Sequence, residues 1–533
     1  MRSLLLFLFT IFLSTTVCAQ SIEWSKALGG GGDDGAYSVR QTKDGGYIMT
    51  GFTTSTDGDV AGRISDGDND VWIVKLSSKG AIEWKKFLGG AGDDIGYWVE
   101  ETTDGYIVAA NSSSSDGDVT DYIGAYDYWI LKLDTQGQVQ WKKSFGGAEE
   151  DDPQMIKQTT DGGYIIAGSS FSTDGDVSGN HSSASSDCWI VKLTSTGIID
   201  WAKCYGGSLD DQAVGIRETP DKGFIVAGFS YSIDGNVTGH HLAPTSASDA
   251  WAFKIDKNGA LEWQRSIGGA LDDQFDDVEL AADGGYIFVG YTHSNDGDLA
   301  DLGHHGGVNL SDALVVKLSA NGATDWIKTF GGRDDDEMYN ISKCSDGSFV
   351  IAAYTGSDDI NGITQHGIAD YWLVRIDKNG TLTQQMTYGG SDFDQLYSIA
   401  QTSDNGFILG GYSISSDQQV VGNHTDTTTD AWIVKTSAGN STVHISSELQ
   451  DRALIYPNPM TDHSMLILPP TFASGHSVSF SLISITGSEV RREALANSDN
   501  YLTFERGELS AGLYHYRFIR DDGVSMGGNL IVQ

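Results

Sequence analysis

The chain has 533 residues, of which 33 are Lys or Arg and 73 are Asp or Glu, so its formal net charge is −40. This charge argues against a nucleic-acid binder, because phosphate contacts need Lys and Arg. It also argues against attachment to anionic lipid through basic residues. The chain contains 67 Gly and only 7 Pro, with 13 Trp, 22 Tyr and 20 Phe. The aromatic content excludes disorder, and the glycines indicate many short strands and tight turns.

Residues 1–19 have the pattern of a signal peptide. An apolar run extends from Leu4 to Leu13, and Val17-Cys18-Ala19 precedes a cleavage site before Gln20. The alternative is a lipoprotein in which Cys18 carries the lipid. The apolar run is too short to span a bilayer, and no other segment is apolar enough to do so. The sequence therefore predicts export to the periplasm without a transmembrane segment.

A Gly-Gly pair followed shortly by Asp recurs seven times, at spacings of 57 to 63 residues. Each unit has the same order of short alternating strands and Gly-containing turns, which are hairpin signals. In the first unit the predicted strands are Tyr37 to Thr42, Tyr47 to Thr53, Asp70 to Leu76 and Ile82 to Lys86. Four antiparallel strands in a repeated unit of this length are typical of a β-propeller blade.

The two ends of the repeat region complement each other. The region begins with a lone fourth strand, Ile22 to Lys26, and ends after a third strand, Asp430 to Lys435. The first strand would complete the last blade and remove the open edge of a linear array. We therefore predict an all-β fold, in which residues 20–440 form a seven-bladed β-propeller whose last blade is closed by the N-terminal strand. The alternative architecture is an open solenoid.

Twelve of the thirteen tryptophans fall into two columns of the repeat, and only Trp98 lies outside them. The third-strand column is Trp72, Trp129, Trp189, Trp251, Trp372 and Trp432, and the fourth-strand column is Trp24, Trp84, Trp141, Trp201, Trp263 and Trp326. Recurrence in almost every unit predicts packing between blades, because such packing needs large apolar area. The alternative is a carbohydrate-stacking surface.

The repeat resembles a bacterial β-propeller repeat family with Trp, then Gly-Gly, then Asp-Gly, then a strand containing Tyr-Ile. The stretches Trp84 to Asp94 and Asp104 to Ala110 carry this resemblance, which extends over about residues 20–440. It implies the propeller fold. It does not imply an activity, because propellers host many functions.

The composition changes after the repeats. Residues 441–453 form a polar linker, and residues 454–533 contain short strands punctuated by Gly, which predicts a small β-sandwich. This region resembles the C-terminal sorting domain of the type IX secretion system in Bacteroidota. The residues that carry the resemblance are Pro457, Asn458, Pro459, Gly487, Gly512 and Tyr514. It implies contact with the type IX machinery, passage across the outer membrane, and release or attachment at the cell surface. The alternative is an adhesive module.

Loops that join strand four to strand one, and strand two to strand three, lie at the same face of the predicted ring, which we call the loop face. We predict that this face binds a ligand through its acidic and imidazole groups. The predicted residues are Asp34, Asp94, Asp152, Asp211, Asp273, Asp336 and Asp394 in the first set of loops, and Asp59, Asp118, Asp176, His181, His241, His305, His366 and His424 in the second. The alternative for the carboxylates is that they fix turns by accepting backbone N–H groups.

Two metals fit the side chains of the loop face. The alternate acids Asp66, Asp68 and Asp70 can converge on Ca²⁺, which takes six to eight oxygen ligands, although they lack the frame of an EF-hand. Imidazole beside carboxylate can ligate Zn²⁺. The alternative for the histidines is that they are solvated loop residues.

Cysteine usage suggests one disulfide. Cys188 and Cys204 occur together in a single repeat, so a cross-strand disulfide is predicted, with two small core residues as the alternative. Cys344 is predicted to be an unpaired buried thiol.

Enzyme motifs such as the nucleophile elbow and His-Glu-x-x-His are absent from the sequence. The prediction is therefore a secreted or cell-surface binding or scaffold protein, monomeric, which contacts a glycan, a peptide or a surface partner. The alternatives are an extracellular polysaccharide hydrolase or lyase with acids on the loop face, and a structural component of a surface layer.

Overall fold

The computed structural model describes most of the repeat region and the strands of the C-terminal region. The described residues are 16–19, 21–63, 68–241, 247–300, 302, 305, 310–437, 441–444, 454–456, 463–467, 477–484, 488–495, 501–507, 509–521 and 525–532. They belong to two compact units. One is Gln20–Asn440, and the other contains the strand Thr16–Ala19 and the strands that follow Ser441.

Residues 20–440 contain seven four-stranded antiparallel sheets, which we number 1 to 7 by the chain order of their first strands. The first strands are Asp34–Gln41, Asp94–Glu101, Asp151–Gln158, Asp211–Glu218, Asp273–Leu280, Asp336–Lys343 and Asp394–Gln401. The second strands are Tyr47–Thr53, Tyr106–Ser112, Tyr164–Ser170, Phe224–Ser230, Tyr286–Thr292, Phe349–Thr355 and Phe407–Ser413.

The third strands begin at the recurring Asp and are almost entirely buried. They are Asp70–Leu76, Asp127–Leu133, Asp187–Leu193, Asp249–Ile255, Asp312–Leu318, Asp370–Ile376 and Asp430–Thr436. The fourth strands of sheets 1 to 6 are Ile82–Leu88, Val139–Phe145, Ile199–Tyr205, Leu261–Ile267, Thr324–Phe330 and Leu382–Tyr388. Two 3₁₀ turns, Gly58–Val60 and Gly297–Leu299, lie in the loops between second and third strands. The repeat unit predicted from the sequence is therefore confirmed.

Sheet 7 takes its fourth strand from the start of the chain. Ile22–Leu28 pairs antiparallel with Asp430–Thr436, and Leu28 lies opposite Ala431. Sheet 7 also touches sheet 1, because the N–H of Val39 donates to Ser398 Oγ at 3.1 Å and the Arg40 guanidinium donates to the same hydroxyl at 2.8 Å. The first and last sheets in the chain are thus neighbours.

The two tryptophan columns pack differently. The third-strand tryptophans are fully buried, whereas those of the fourth strands are half-buried. The Trp24 indole of sheet 7 donates to Ser78 O in the turn of sheet 1 at 3.3 Å. It also covers Gly80, whose positive φ of 73° and close approach to the ring leave no room for a side chain. Both columns serve packing between sheets, as predicted.

The C-terminal unit is also all-β. Its strands form one sheet of Leu454–Tyr456, His463–Ile467 and Tyr501–Glu505, and another of Glu489–Leu495, Val478–Ser484, Gly512–Arg520 and Ser525–Val532. Thr16–Ala19 pairs with Ser441–His444. Tyr514, from the predicted sorting motif, is buried and donates to Ser510 O at 2.9 Å. Pro457, Asn458, Pro459 and Gly487 lie outside the described residues, as do residues 1–15 of the predicted signal peptide and 445–453 of the predicted linker.

The predicted cross-strand pairing of Cys188 with Cys204 is wrong by one residue. A bulge next to Leu193 shifts the register, so Cys204 lies opposite Trp189 and Cys188 lies opposite Tyr205. Neighbouring residues of a strand point to opposite faces, so the two sulfurs are directed apart. Both thiols are free, as is the buried Cys344.

We therefore expect reducing agents to leave the melting temperature of the protein unchanged. Loss of a native disulfide costs about 2–5 kcal/mol, which calorimetry would detect easily. Scans with and without a phosphine reductant test this, and Cys204→Ser serves as the control without the second thiol. A melting temperature that falls on reduction only in the protein with both thiols would contradict the register.

Candidate functional site

A single cavity of about 280 Å³ is lined by residues from the first strands of all seven sheets. Each first strand carries a β-bulge at its fourth residue, where the strand register shifts against the second strand. A bulge re-aims a side chain that strict alternation would place elsewhere. The bulged residues, all of which line the cavity, are Tyr37, Tyr97, Gln154, Val214, Asp276, Tyr339 and Tyr397.

Four tyrosines form one side of the cavity wall. Tyr37 stacks on Tyr97 with ring centroids 5.5 Å apart and meets Tyr397 edge to face at 5.0 Å. Tyr339 packs against Tyr397 at 5.0 Å and donates its hydroxyl to Glu337 Oε2 at 2.7 Å. These contacts keep the rings in fixed positions. The wall from sheets 1, 2, 6 and 7 is therefore aromatic and rigid.

The opposite side of the cavity wall, from sheets 3, 4 and 5, carries amide and carboxyl groups. Gln274 donates to Asp276 Oδ1 at 2.8 Å and accepts from the Tyr291 hydroxyl at 3.0 Å. The side-chain amides of Gln154 and Gln212 have no hydrogen-bond partner within the described part of the chain. These amides can donate to and accept from a ligand. The cavity is thus aromatic on one side and polar on the other.

Trp98, the one tryptophan outside the repeat columns, also lines the cavity. The Arg40 guanidinium lies 4.3 Å and the Lys157 ammonium 4.6 Å from its ring centroid. Burial lowers the pKa of Arg40 to about 10 and that of Lys157 to about 8. Lys157 pairs with Glu100 at 2.9 Å, so this group of half-buried charges is held together by ion pairing and by the indole.

Two buried polar atoms of cavity-lining residues have no hydrogen-bond partner among the described residues. They are Trp98 Nε1 and Asp276 Oδ2, and each residue is only 6% exposed. Burial raises the pKa of Asp276 well above its ordinary value, and the charges of Glu337 and Asp277 raise it further. These two atoms of cavity-lining residues are therefore free to hydrogen-bond a ligand.

The predicted carboxylates of the four-to-one loops are buried rather than displayed. Asp34, Asp94, Asp211, Asp273, Asp336 and Asp394 are each 0% exposed. Asp34 Oδ2 accepts the N–H of Gly30 at 2.8 Å and the Ser55 hydroxyl at 2.7 Å, and the other sheets repeat this arrangement. They fix the turn into each first strand. In sheet 3 the residue in this position is Asp151, and not Asp152 as predicted.

Each carboxylate at the start of a first strand lies next to an Asp that begins a third strand. A Cβ on Gly29 would lie 2.4 Å from both Asp34 Oδ2 and Asp430 Oδ1, so only glycine fits between the two side chains. Burial raises the pKa of Asp34 to about 6, and the charge of Asp430 adds to the shift. These pairs explain why the Gly-Gly dipeptide precedes Asp in every repeat.

The side chains of the two-to-three loops are the accessible part of the loop face. Asp59 and Asp118 are partly exposed and Asp176 is exposed, and Lys142 pairs with Asp118 at 3.0 Å. The five predicted histidines direct Nδ1 to the Asp that begins the third strand of their own sheet, at 2.6 Å from His181 to Asp187 for example. Ligand binding by these residues stays a prediction.

Of the candidate calcium ligands, Asp66 lies outside the described residues and Asp68 is exposed. Asp70 is buried and pairs with the buried guanidinium of Arg63. No group of three or more His, Cys, Asp or Glu side chains within the described part of the chain is placed to hold a metal ion. Calcium at this loop stays an untested prediction.

Residues 454–533 match the family model of the secretion system C-terminal sorting domain. This domain places the chain among proteins that type IX secretion exports to the cell surface or the extracellular space, and it implies contact with that machinery. Among the described residues, no helix has the length and apolar character needed to cross a membrane.

Similarity to other proteins is weaker. Regulatory protein FlaEY of Caulobacter vibrioides is 22% identical over 384 residues, which is 64% of this chain and 39% of FlaEY. A puromycin hydrolase structure matches with a TM-score of 0.42 and 10% identity, covering 82% of this chain and 59% of the hydrolase. The extracellular region of plexin A4 matches with a TM-score of 0.45 and 7% identity, covering 94% of this chain and 66% of plexin. This chain thus spans well under half of FlaEY.

Sequence reasoning missed the cavity. The residues that line it differ from sheet to sheet, whereas the loop acids recur in every sheet. The loop acids were therefore predicted as the site because they repeat. The available signal was the departure of Trp98 from both tryptophan columns. The variable fourth position of the first strand was a second signal, because residues that serve only packing repeat with the fold.

Proposed function

We propose that residues 20–440 form a closed seven-bladed propeller and that the protein is a cell-surface binding protein with a small-molecule site in the central cavity. The closed ring is supported by the strand exchange into sheet 7, by the contacts of Val39 and Arg40 with Ser398, and by the cavity that all seven first strands line. Export by type IX secretion places this site outside the cell.

The chemistry of the cavity favours a neutral ligand with an apolar face and several hydroxyl groups, such as one sugar ring of a glycan. Tyrosine rings offer apolar faces with polar tips. The free amides of Gln154 and Gln212, the Trp98 N–H and the Asp276 carboxyl offer both donors and acceptors. A cavity of about 280 Å³ is at the small end of ligand sites, so a single ring fits better than an extended chain. The observation that carries this proposal is the cavity lined by one bulged residue from each of the seven sheets, with aromatic rings on one side and polar groups on the other.

We expect Gln212→Leu and Trp98→Phe each to weaken binding of a matching monosaccharide by about tenfold, because each change removes one hydrogen bond worth about 1–1.5 kcal/mol. Titration calorimetry against a panel of neutral sugars, after a glycan array has selected candidates, measures this. The matched control is Asp176→Asn on the loop face, which should leave the affinity unchanged. A larger loss in Asp176→Asn than in Gln212→Leu would move the site to the loop face.

A polysaccharide hydrolase or lyase is the second candidate, and one observation favours it. Asp276 is a buried carboxyl in the cavity wall whose pKa is raised by burial, a shift of the kind that suits a general acid. Release of reducing ends from a polysaccharide panel tests this, with Asp276→Asn as the control. Turnover that Asp276→Asn abolishes would favour an enzyme. If no sugar is bound or turned over, the remaining possibility is a structural component of the cell surface.

A further inference from the structure

The depth of the central cavity follows the first strands, since each of these strands begins at the loop face and runs away from it. Side chains at the second, fourth and fifth residues of the strands line the cavity. Gln212 and Gln274 are second residues and lie nearest the loop face, whereas Trp98 and Met155 are fifth residues and lie deepest. The cavity therefore extends inward from the loop face to the level of the fifth residues.

The first strands are most buried at this level and more exposed on either side of it. The fifth residues are all buried, and they are Ser38, Trp98, Met155, Gly215, Asp277, Asn340 and Ser398. The fourth residues are half-buried, apart from the buried Asp276. The seventh residues are half-buried in every sheet. Solvent therefore approaches the layer of fifth residues from both sides, while the layer itself is closed.

Hydrogen bonds between neighbouring sheets hold this layer in place. Asn340 Oδ1 accepts the N–H of Ile399 in the next sheet at 3.0 Å. Asp277 Oδ2 accepts the N–H of Ile341 at 3.2 Å and the Asn340 amide at 2.6 Å. Ser398 Oγ likewise accepts a backbone N–H of sheet 1 at 3.1 Å. The fifth residues therefore form a fixed floor under the cavity, built by sheets that contact one another.

Trp98 is the largest side chain of this floor. Behind it lie charged side chains of seventh residues, with the Arg40 guanidinium and the Lys157 ammonium within 5 Å of the indole centroid, at 4.3 and 4.6 Å. The side chains of Lys157 and its partner Glu100 are 19% and 25% exposed, so they keep access to water on their own side. Charged groups are costly to strip of water. An uncharged ligand therefore ends at the indole instead of continuing past it.

We propose that the cavity binds the end of a glycan chain, with the terminal ring resting on Trp98 and the rest of the chain leaving through the loop face. This inference rests on the proposed sugar-binding function and narrows it from a sugar ring to a terminal one. An interior ring carries chain on both sides. A cavity of about 280 Å³ that is closed at the fifth residues has no exit for the second side.

The number of protein molecules bound per glycan chain distinguishes the two modes of binding. The experiment is titration calorimetry of the full-length protein with linear oligosaccharides of increasing length that share the terminal ring of the selected monosaccharide. We expect a single protein molecule per oligosaccharide at every length, with an affinity that changes by less than about threefold. A stoichiometry that grows with chain length would overturn chain-end binding and leave sugar binding itself intact. If no saccharide binds at any length, both proposals fail.

A variant of the floor tests the role of Trp98. Trp98→Ala opens the cavity towards the seventh residues, so a disaccharide can enter more deeply and its second ring gains the contacts of the tyrosine wall. We expect the ratio of disaccharide to monosaccharide affinity to rise by about tenfold over the parent protein. Both sugars are measured on the same preparation, so any loss of folded protein cancels in the ratio. Trp98→Phe keeps an aromatic floor and should keep the parent ratio. A ratio that is the same in Trp98→Ala and Trp98→Phe would contradict a floor made by Trp98.

Discussion

Deleting Ile22–Leu28 is expected to abolish the cooperative unfolding of the repeat region, or to lower its melting temperature by more than about 10 °C. The strand covers the buried strand Asp430–Thr436 and places the nearly buried Leu28 in the core shared with sheet 1. Its removal exposes a row of unpaired backbone groups. Each lost ladder hydrogen bond costs about 1 kcal/mol and each exposed large apolar side chain about 1.5–3 kcal/mol. The sum is comparable with the entire stability of an ordinary domain, about 5–15 kcal/mol.

Calorimetry and size-exclusion chromatography of the deletion variant measure this effect. A synthetic peptide of residues 21–28 should restore the transition by adding the missing strand to the open edge. The control is the same peptide with Trp24 and Leu28 replaced by Ser, which keeps the backbone but not the packing. A deletion variant that melts at the parent temperature would show that sheet 7 is stable with three strands.

Stability is expected to fall as the pH rises from about 5 to about 8, by at least about 5 °C in melting temperature. Burial raises the pKa of five first-strand carboxyls to about 6, namely Asp34, Asp94, Asp151, Asp336 and Asp394. Burial likewise raises the pKa of Asp211 and Asp273 to about 7. One pKa unit in one group corresponds to about 1.4 kcal/mol, so even a part of seven such shifts is a large effect.

The sign of this pH dependence follows from the number of protons that the folded and unfolded states hold. An unfolded Asp loses its proton near a pKa of about 3.9, whereas the folded protein keeps it to about 6 or 7. The stabilisation is therefore complete below the unfolded pKa and is lost as the pH rises through the folded values. Hydrogen bonds that the His424 and His366 rings donate to Asp430 and Asp370 act in the same direction. They raise the pKa of each imidazole, although burial opposes this at both.

A second group of carboxyls determines how the stability of the protein falls at acid pH. Burial raises the pKa of Asp44, but hydrogen bonds from Thr42 and the Gly46 N–H outweigh it and lower the pKa to about 2. The stabilisation that Asp44 provides is therefore lost as the pH falls towards that value. Calorimetry across this range at constant ionic strength should find a maximum near about pH 4–6. Asp211→Asn with Asp273→Asn should flatten the decline above the maximum. A melting temperature that rises from about pH 5 to about pH 8 would contradict the buried, protonated pairs.

The sequence predicted the repeat because local chemistry sets it. Asp44, Gly45 and Gly46 define a turn whose hydrogen bonds lie within a few residues, and strand alternation follows the pattern of apolar side chains. The pairing of Ile22–Leu28 with the last sheet was also predictable, since the repeat lacks one strand at its end and has one extra at its start. The sorting domain was recognised from its short motifs.

Register inside a strand pair was not predictable. The bulge beside Leu193 moves Cys204 opposite Trp189, and nothing in the local sequence of that hairpin marks the extra residue. The same applies to the seven bulges of the first strands. A bulge depends on how the strand must bend to pack against its neighbours, and those neighbours are about 60 residues away in the chain.

The all-β repeat, the order of strands, the burial of the third-strand tryptophans and the route of export were predictable from the sequence. The accessibility of the polar residues was not, because it depends on the tertiary fold. The tertiary fold placed the recurrent acids such as Asp34 and Asp273 in buried, hydrogen-bonded turns, and it brought Trp98, Asp276 and Gln212 from three sheets to one cavity. The physical reason is that repeated residues meet the same surroundings in each sheet. A single binding site needs different residues from different sheets, and only the three-dimensional fold brings them together.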